Sequence, residues 1–282
     1  MVEKGKGFQI FANVLLALLS ICAVAPFILL IMSSFTDEQV LISNGYSFFP
    51  AKFSTYAYEY LLTDSTSVIR GYGISFLITA VGTVCNLLLT TLYAYPLSRR
   101  DLPGRNGFAF YLFFTMLFSG GLVPSYIMWT RTFHISNTIF ALLIPNLLMG
   151  AFNVIMVRTY FTSNIPEAVI EAARIDGANE LKTFVRIVIP LAMPMLACIA
   201  VYIGVGHWNS WFDVSLYSRD GTWDTLQIIL YRLLNQANAK ADITNQQQLY
   251  MSMRTIQPET VRAATTVVVV VPIIFIYPFF QR

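Results

Sequence analysis

Six stretches of this chain, at about 9–32, 73–97, 107–130, 138–161, 183–207 and 262–281, are dominated by apolar residues from end to end. A helix needs roughly 20 apolar residues to cross a hydrocarbon layer about 30 Å thick, and a soluble core needs no such runs. The stretches do not alternate polar with apolar residues, so transmembrane strands do not fit them, and helices are the remaining way to satisfy backbone polar groups in lipid. The pattern predicts an all-α, polytopic membrane protein of six transmembrane helices, organised as one membrane domain over 1–282. Composition agrees. The 282 residues are 56% hydrophobic and 12% charged, about half the charge of an ordinary soluble domain.

The N-terminal stretch has two marks of a secretory signal. Lys4 and Lys6 precede the apolar run, and Ala23-Val24-Ala25 has the look of a cleavage site. Pro26 follows directly, and the run continues to Met32, too long for a signal core and long enough to span. It reads as a retained first helix. Lysines and arginines near the ends set the orientation. The N-terminal tail (Lys4, Lys6), the loop Ser98–Arg105 and the segment carrying Arg158, Arg174, Lys182 and Arg186 fall on one side, the cytoplasm. Both termini are then cytoplasmic. The acidic-leaning loop 33–70 and the long loop 208–261 lie outside. Within the latter, Leu226, Ile229, Leu230 and Leu233 repeat at helical spacing, predicting an amphipathic helix over Asp224–Asn235. The Asn/Gln/Ala-rich stretch Asn235–Gln248 reads as solvated or loosely ordered.

Several chemistries find no support. Cys22, Cys85 and Cys198 sit singly inside apolar blocks and read as small hydrophobic residues. His134 and His207 are far apart and belong to no metal-binding pattern. No catalytic dyad or triad is visible, and a membrane enzyme is a poor fit. The net charge of +3, without a basic patch interleaved with aromatics, argues against nucleic acid. No Asp, Glu or Lys inside the apolar blocks suggests a proton relay.

The cytoplasmic loop 162–182 is the most informative segment. Pro166 suits a first helical position and Glu167 a first turn. A helix over 166–176 would run about three turns, on the order of 16 Å. Gly177 stands where a left-handed cap would end it, and Asn179 can cap a second helix beginning at Glu180 and entering the fifth block. Ala168, Ala172 and Ala173 leave room for a close-packed surface. Glu167 and Glu171 share a face, and Arg174 stands three residues beyond Glu171, within reach of a local ion pair. By these local features alone, an ordinary solvated surface helix is an equal reading.

The run Glu171-Ala172-Ala173-Arg174-Ile175-Asp176-Gly177-Ala178, followed by Phe184, Ile187, Pro190-Leu191 and Pro194, resembles the EAA signature of ABC importer permeases, in the loop before the penultimate helix. The whole chain resembles the carbohydrate-uptake branch, on the pattern of the small permease of maltose-type importers. His207-Trp208-Asn209-Ser210-Trp211-Phe212 and the ending Ile273–Gln281 carry the likeness to the subgroup serving oligosaccharides and polysaccharide-derived sugars. Members usually carry a short cytoplasmic tail beyond the point where this sequence stops, at Arg282. The resemblance implies a multi-pass permease of the bacterial plasma (inner) membrane. It implies as partners a second, homologous permease in a heterodimer, two ABC ATPase subunits and an extracellular solute-binding protein. It makes Glu171, Ala172, Ala173, Asp176 and Gly177 the ATPase-coupling residues, with Glu171 facing a basic group of the ATPase, Gly177 allowing the turn and Asp176 shaping the helix end. The chain has no GxxxxGK[ST] loop, so it is no enzyme by itself and binds no cofactor. ATP and Mg would be held by the partner ATPases.

Within the membrane, Pro145, Pro190 and Pro194 read either as kinks that shape a path or as prolines tolerated in lipid. Asn86, Asn146 and Asn153 favour helix-to-helix hydrogen bonds over substrate contact. Tyr126, Trp129, Trp208 and Trp211 stand at outer helix ends, fitting an interfacial aromatic belt better than sugar stacking. Trp208, Asn209 and Trp211 are the candidate contacts for substrate or binding protein. The competing functional reading is a stand-alone secondary transporter or channel for a small polar solute.

Overall fold

A computed structural model of the chain describes residues 6–63, 65–145, 148–241 and 259–280. Among them the only β pairing outside helices and turns is one isolated bridge, Thr36 to Phe53. The rest of the regular structure is helical, as the apolar periodicity requires. The described chain divides into two compact units, Met1–Val68 with Leu230–Ile274, and Ile69–Ile229 with Phe275–Arg282.

The first unit holds α1 (Lys6–Ser34), α2 (Glu38–Asn44), α3 (Tyr56–Thr63) and most of α15 (Glu259–Phe280). The most apolar window of α1 has no residue buried against the rest of the protein. A helix apolar on all sides has no face for water, so its surroundings must be lipid or another apolar chain. Asp37 caps α2 by accepting the Gln39 N–H at 3.2 Å, and it pairs with Lys52 at 2.8 Å. The Glu38 carboxylate accepts from the backbone N–H groups of Glu259 and Thr260 at 2.8 and 3.0 Å and from the Thr260 hydroxyl at 2.6 Å. A carboxylate thus satisfies the free donors at the start of α15. Ala57, Leu61, Val261 and Ala264 close a small core beside it.

The second unit begins inside α4 (Ser65–Ser98) and continues through α5 (Arg105–Leu117), α6 (Leu122–Ile127), α7 (Ile139–Leu143), α8 (Ala151–Asn164), α9 (Glu167–Ile175), α10 (Glu180–Thr183), α11 (Ile189–Leu191), α12 (Met193–Trp208) and α13 (Trp211–Tyr217). Wide π-type turns occupy Met128–Thr132 and Phe184–Val188. Its main core joins Ala94, Leu97, Val154, Val157, Phe161, Phe184, Val188 and Leu196 from α4, α8 and the α10–α12 stretch. A second cluster includes Ile78, Leu142, Val214, Tyr217 and Ile228.

The expected single rods at 107–130, 138–161 and 183–207 are each interrupted. Arg105–Leu117 and Leu122–Thr132 bend by 107° where Gly121 takes a φ of +89°. Glu180–Leu191 and Met193–Trp208 bend by 80° at Ala192. Pro194 lacks an N–H, and its ring excludes the carbonyl four residues back, so the helix breaks there. In the fourth stretch, α7 ends before Pro145 and α8 starts after Gly150; Asn146 lies outside the described residues. Among the described residues, α1 and α4 are each long and apolar enough to cross a bilayer, and counting each bent pair as one span gives up to four. The amphipathic segment of the long loop is α14 (Leu226–Ala241). It runs past Asn235, so the polar stretch expected to be loose is helical as far as Ala241, and the remainder lies outside the described residues.

Candidate functional site

The short helix α9 is one residue shorter at each end than its sequence suggests. Pro166 is its N-cap, not its first helical residue. Its far end is closed by a paired hydrogen-bond cap. The Ala178 N–H donates to the Ala173 carbonyl at 2.9 Å and the Gly177 N–H to the Arg174 carbonyl at 3.0 Å, with Gly177 at a φ of +75°. This reverse cap satisfies two free carbonyls and needs a residue that tolerates left-handed backbone, which glycine does without cost. Asp176, at the C-cap, donates its backbone N–H to Ala172 at 3.0 Å. Asn179 then accepts the Lys182 N–H at 2.8 Å and opens α10 as expected. Only four residues, Asp176 to Asn179, separate α9 from α10.

The two faces of α9 differ. Ile170 and Ala173 are buried, Ile170 in the core with Phe161, Ile165 and Phe184. Glu167, Ala168, Glu171, Ala172 and Ile175 point outward, and Ile175 is 86% exposed. Leu181, just past the turn, is 65% exposed. The outward face is therefore two carboxylates one helical turn apart, small alanines, and isolated apolar side chains that water does not favour.

Arg174 does not pair with Glu171 as the i,i+3 spacing suggested. Its guanidinium donates to Asp101 at 2.7 Å and to Glu180 at 2.6 and 3.0 Å. The other carboxylate oxygen of Glu180 accepts from the Tyr95 hydroxyl at 2.7 Å. Arg100 lies 3.8 Å from Glu167. This network ties α9 and α10 to the C-terminal end of α4 and the loop after it. Hydrogen bonding to Arg174 holds the Asp101 carboxyl below the usual carboxylate range, and the two carboxylates raise the Arg174 guanidinium above its ordinary value. Arg105 and Arg158 both donate to the Leu97 carbonyl, at 3.0 and 3.2 Å, capping α4. Leu92, Tyr95, Arg99, Asp101, Arg174 and Leu181 are among the residues lining a cleft of about 420 Å³ at this junction.

At the other end of α12, Trp208 is buried and lies against Tyr72, ring centroids 6.3 Å apart. Asn209 accepts from the Gln227 amide at 2.9 Å. Trp211 is exposed and meets Phe212 edge to face. The Arg219 side chain donates to the Tyr126 hydroxyl, its N–H to Asn137 at 2.8 Å, and the Trp223 indole to the Asn137 carbonyl at 3.0 Å. Tyr126 and Trp129 pack on the second cluster. Of the three candidates, Asn209 and Trp211 are exposed and Trp208 is buried.

Residues 105–282 match the family described as binding-protein-dependent transport system inner membrane component. The chain belongs to this family. It is 33% identical over 99% of its length, and 95% of the relative's, to the polygalacturonan/rhamnogalacturonan transport system permease protein YtcP of Bacillus subtilis. It is 29% identical to the arabinooligosaccharides transport system permease protein AraQ of Halalkalibacterium halodurans, over 94% of this chain and 89% of that one. The fold matches a chain from the crystal structure of a bacterial ABC transporter involved in the import of the acidic polysaccharide alginate. That match has a TM-score of 0.82 and 30% identity, and covers 100% of this chain and 98% of the other. The permease reading of the sequence is thereby established, as is its place in the inner membrane.

Sequence reasoning located the cap and turn of this permease's short helix because both are written in adjacent residues. It missed the Asp101–Arg174–Glu180–Tyr95 network, whose members are up to 85 positions apart. The only local hint was a surplus of charge on both sides of the turn.

Proposed function

We propose that this permease is one of two membrane-spanning subunits of an ABC importer that moves a sugar or oligosaccharide inward, driven by ATP hydrolysis on partner subunits. The observation that carries the reading is α9, a rigidly capped helix whose outward face carries Glu167, Glu171 and Ile175 and whose inner face is packed and ion-paired to the helices behind it. Such a piece can take a push from a docked neighbour and pass it on. Glu171 is the contact for a basic group of the ATPase, Ala172 permits its close approach, Ala173 faces inward and seats the helix on the core behind it, and Asp176 and Gly177 set the turn. ATP and Mg belong to that partner. Six crossings with both termini in the cytoplasm put α9 on the side of the ATPase and Trp208, Asn209 and Trp211 on the side of the solute-binding protein. The sugar assignment rests on the relatives' transport names, and a homologous second permease completes the pair.

Reversing the Glu171 charge tests this. In the assembled importer in proteoliposomes, Glu171→Lys is expected to leave membrane insertion intact, weaken ATPase association at least tenfold, and abolish ATP-driven uptake. Wild-type association and uptake in that variant would overturn the coupling role. Solute flux through the chain reconstituted alone, without ATP, would instead favour a stand-alone transporter or channel.

A further inference from the structure

Two half-buried arginines meet at one carbonyl. Arg105 opens α5 and Arg158 stands in the second half of α8. The Nε–H of each donates to the Leu97 carbonyl, at 3.0 and 3.2 Å. One acceptor therefore holds two like charges side by side, and they repel. The acids on the neighbouring segments do not relieve this: Asp101 pairs with Arg174 and Glu167 with Arg100. Among the described residues no carboxylate lies within ion-pair distance of Arg105 or Arg158. A guanidinium carries five N–H donors, and each of these gives only its Nε–H to Leu97. Their terminal NH₂ groups make no hydrogen bond among the described residues and are not enclosed, so they stand open at the surface.

The start of α5 adds to the same positive field. Its N-cap is Gly104, which has no side chain to accept from the first turn. The Gly107 and Phe108 N–H groups both turn to the Gly104 carbonyl, at 2.8 and 3.2 Å, and the Asn106 N–H has no acceptor among the described residues. A helix start favours an anion and disfavours a cation, yet the first residue here is an arginine. The surroundings are apolar. Phe108, one turn along α5, and Phe110 and Tyr111 beyond it are each more than half exposed. The apolar stretch 107–130 begins just after Arg105, and 138–161 ends just after Arg158. The pair therefore stands at the depth where headgroups meet acyl chains.

We propose that Arg105 and Arg158, with the first turn of α5, hold the headgroup phosphate of an anionic phospholipid whose acyl chains lie along the exposed aromatics of α5. Leu97 fixes both guanidiniums by Nε and leaves their NH₂ edges free for phosphate oxygens, the pairing that planar guanidinium geometry suits best. The phosphate separates two charges that otherwise face each other and meets a helix start that lacks an acceptor. A zwitterionic headgroup brings its own cation next to a second arginine and fits less well. A free phosphate has no part that uses the apolar flank. The site requires only that the chain sits in a bilayer, so it does not depend on what the permease carries or on the ATPase contact.

The probes are phosphatidylglycerol and phosphatidylcholine with identical acyl chains, offered in equal amounts to the assembled importer in detergent and read by native mass spectrometry. The importer is expected to retain phosphatidylglycerol several-fold over phosphatidylcholine. Arg105→Gln and Arg158→Gln, each of which keeps an amide donor for Leu97 but removes the charge, should each lower retained phosphatidylglycerol about fivefold, the effect of one basic residue at an anionic headgroup. Arg105→Lys keeps the charge and should retain several-fold more than Arg105→Gln. Arg100→Gln removes a charge from the same loop, away from the pair, and should retain as much as the wild type. Soluble glycerol phosphate, added in large excess, should not displace the lipid. Equal retention of the two lipids, unchanged retention in both glutamine variants, or an equal loss in Arg100→Gln would each overturn the site. A loss in Arg105→Lys as large as in Arg105→Gln would reduce the effect to packing and overturn it too. Displacement by glycerol phosphate would assign the arginines to a soluble phosphate ester and overturn the lipid. ATP-driven uptake measured on the same preparations keeps the two readings apart, since lipid retention without uptake leaves the site standing and uptake without retention leaves the transport reading standing.

Discussion

Gly177 holds a φ of +75° and sits where nothing lies within 4 Å of an added Cβ. A side chain there meets no steric wall, only backbone strain of roughly 1–2 kcal/mol. Gly177→Val is therefore expected to loosen the turn without unfolding the permease. ATP hydrolysis in the assembled importer should persist while uptake per ATP falls several-fold, read by parallel phosphate-release and uptake assays. Asp101 supplies a pH signature. Its folded-state pKa is lowered by Arg174, so its stabilising contribution is present above the ordinary carboxylate value of about 4 and is lost as pH falls through the lowered value. Limited proteolysis of the loop at Arg99–Arg105 should speed up on acidification below about pH 4, and Arg174→Met should remove much of that pH dependence. Both side chains are substantially exposed, so salt should weaken the contact too.

Between helices, the chain places its breaks where prolines and glycines stand. The bend at Ala192 lies between Pro190 and Pro194, directly after a wide turn at Phe184–Val188. It gives the α10–α12 stretch two rigid arms. One arm carries Glu180 of the ion-pair network, and the other carries the buried His207. Pro194→Ala restores an N–H donor and removes a ring clash. Spin labels on Leu181 and Val205 are expected to report a longer separation in that variant, with uptake several-fold slower. An unchanged distance would place the cause of the bend elsewhere, in the packing of Val188 and Leu196 against α8.

At the level of the molecule, α1 is apolar on every side and buried against nothing in its most apolar window, and Phe76, Val84, Phe110 and Phe118 are exposed likewise. So much apolar surface fits a chain whose solvent is lipid. The turn from α9 to α10 was legible in the sequence because Gly177, Asn179 and Glu180 act on backbone groups two to five residues away. Two features were not legible. The partner of Arg174 could not be read because sequence spacing offers only the helix-surface neighbour at i−3, whereas Asp101 is 73 positions away. The three interrupted spans were read as rods because apolar composition marks what can sit in lipid but does not fix helix direction.

The sequence by itself determined that this chain lives in a bilayer, that it is helical, and that a short capped helix precedes the penultimate span. These follow from transfer free energy, backbone hydrogen bonding and glycine's left-handed freedom, which act over one residue or one turn. Only the tertiary structure decided that Arg174 locks that helix to the loop after α4, and that Asn86, Asn153 and His207 line one cleft. Polar groups in an apolar interior take whatever partner packing brings within about 3 Å, and packing joins residues that are neighbours only in space.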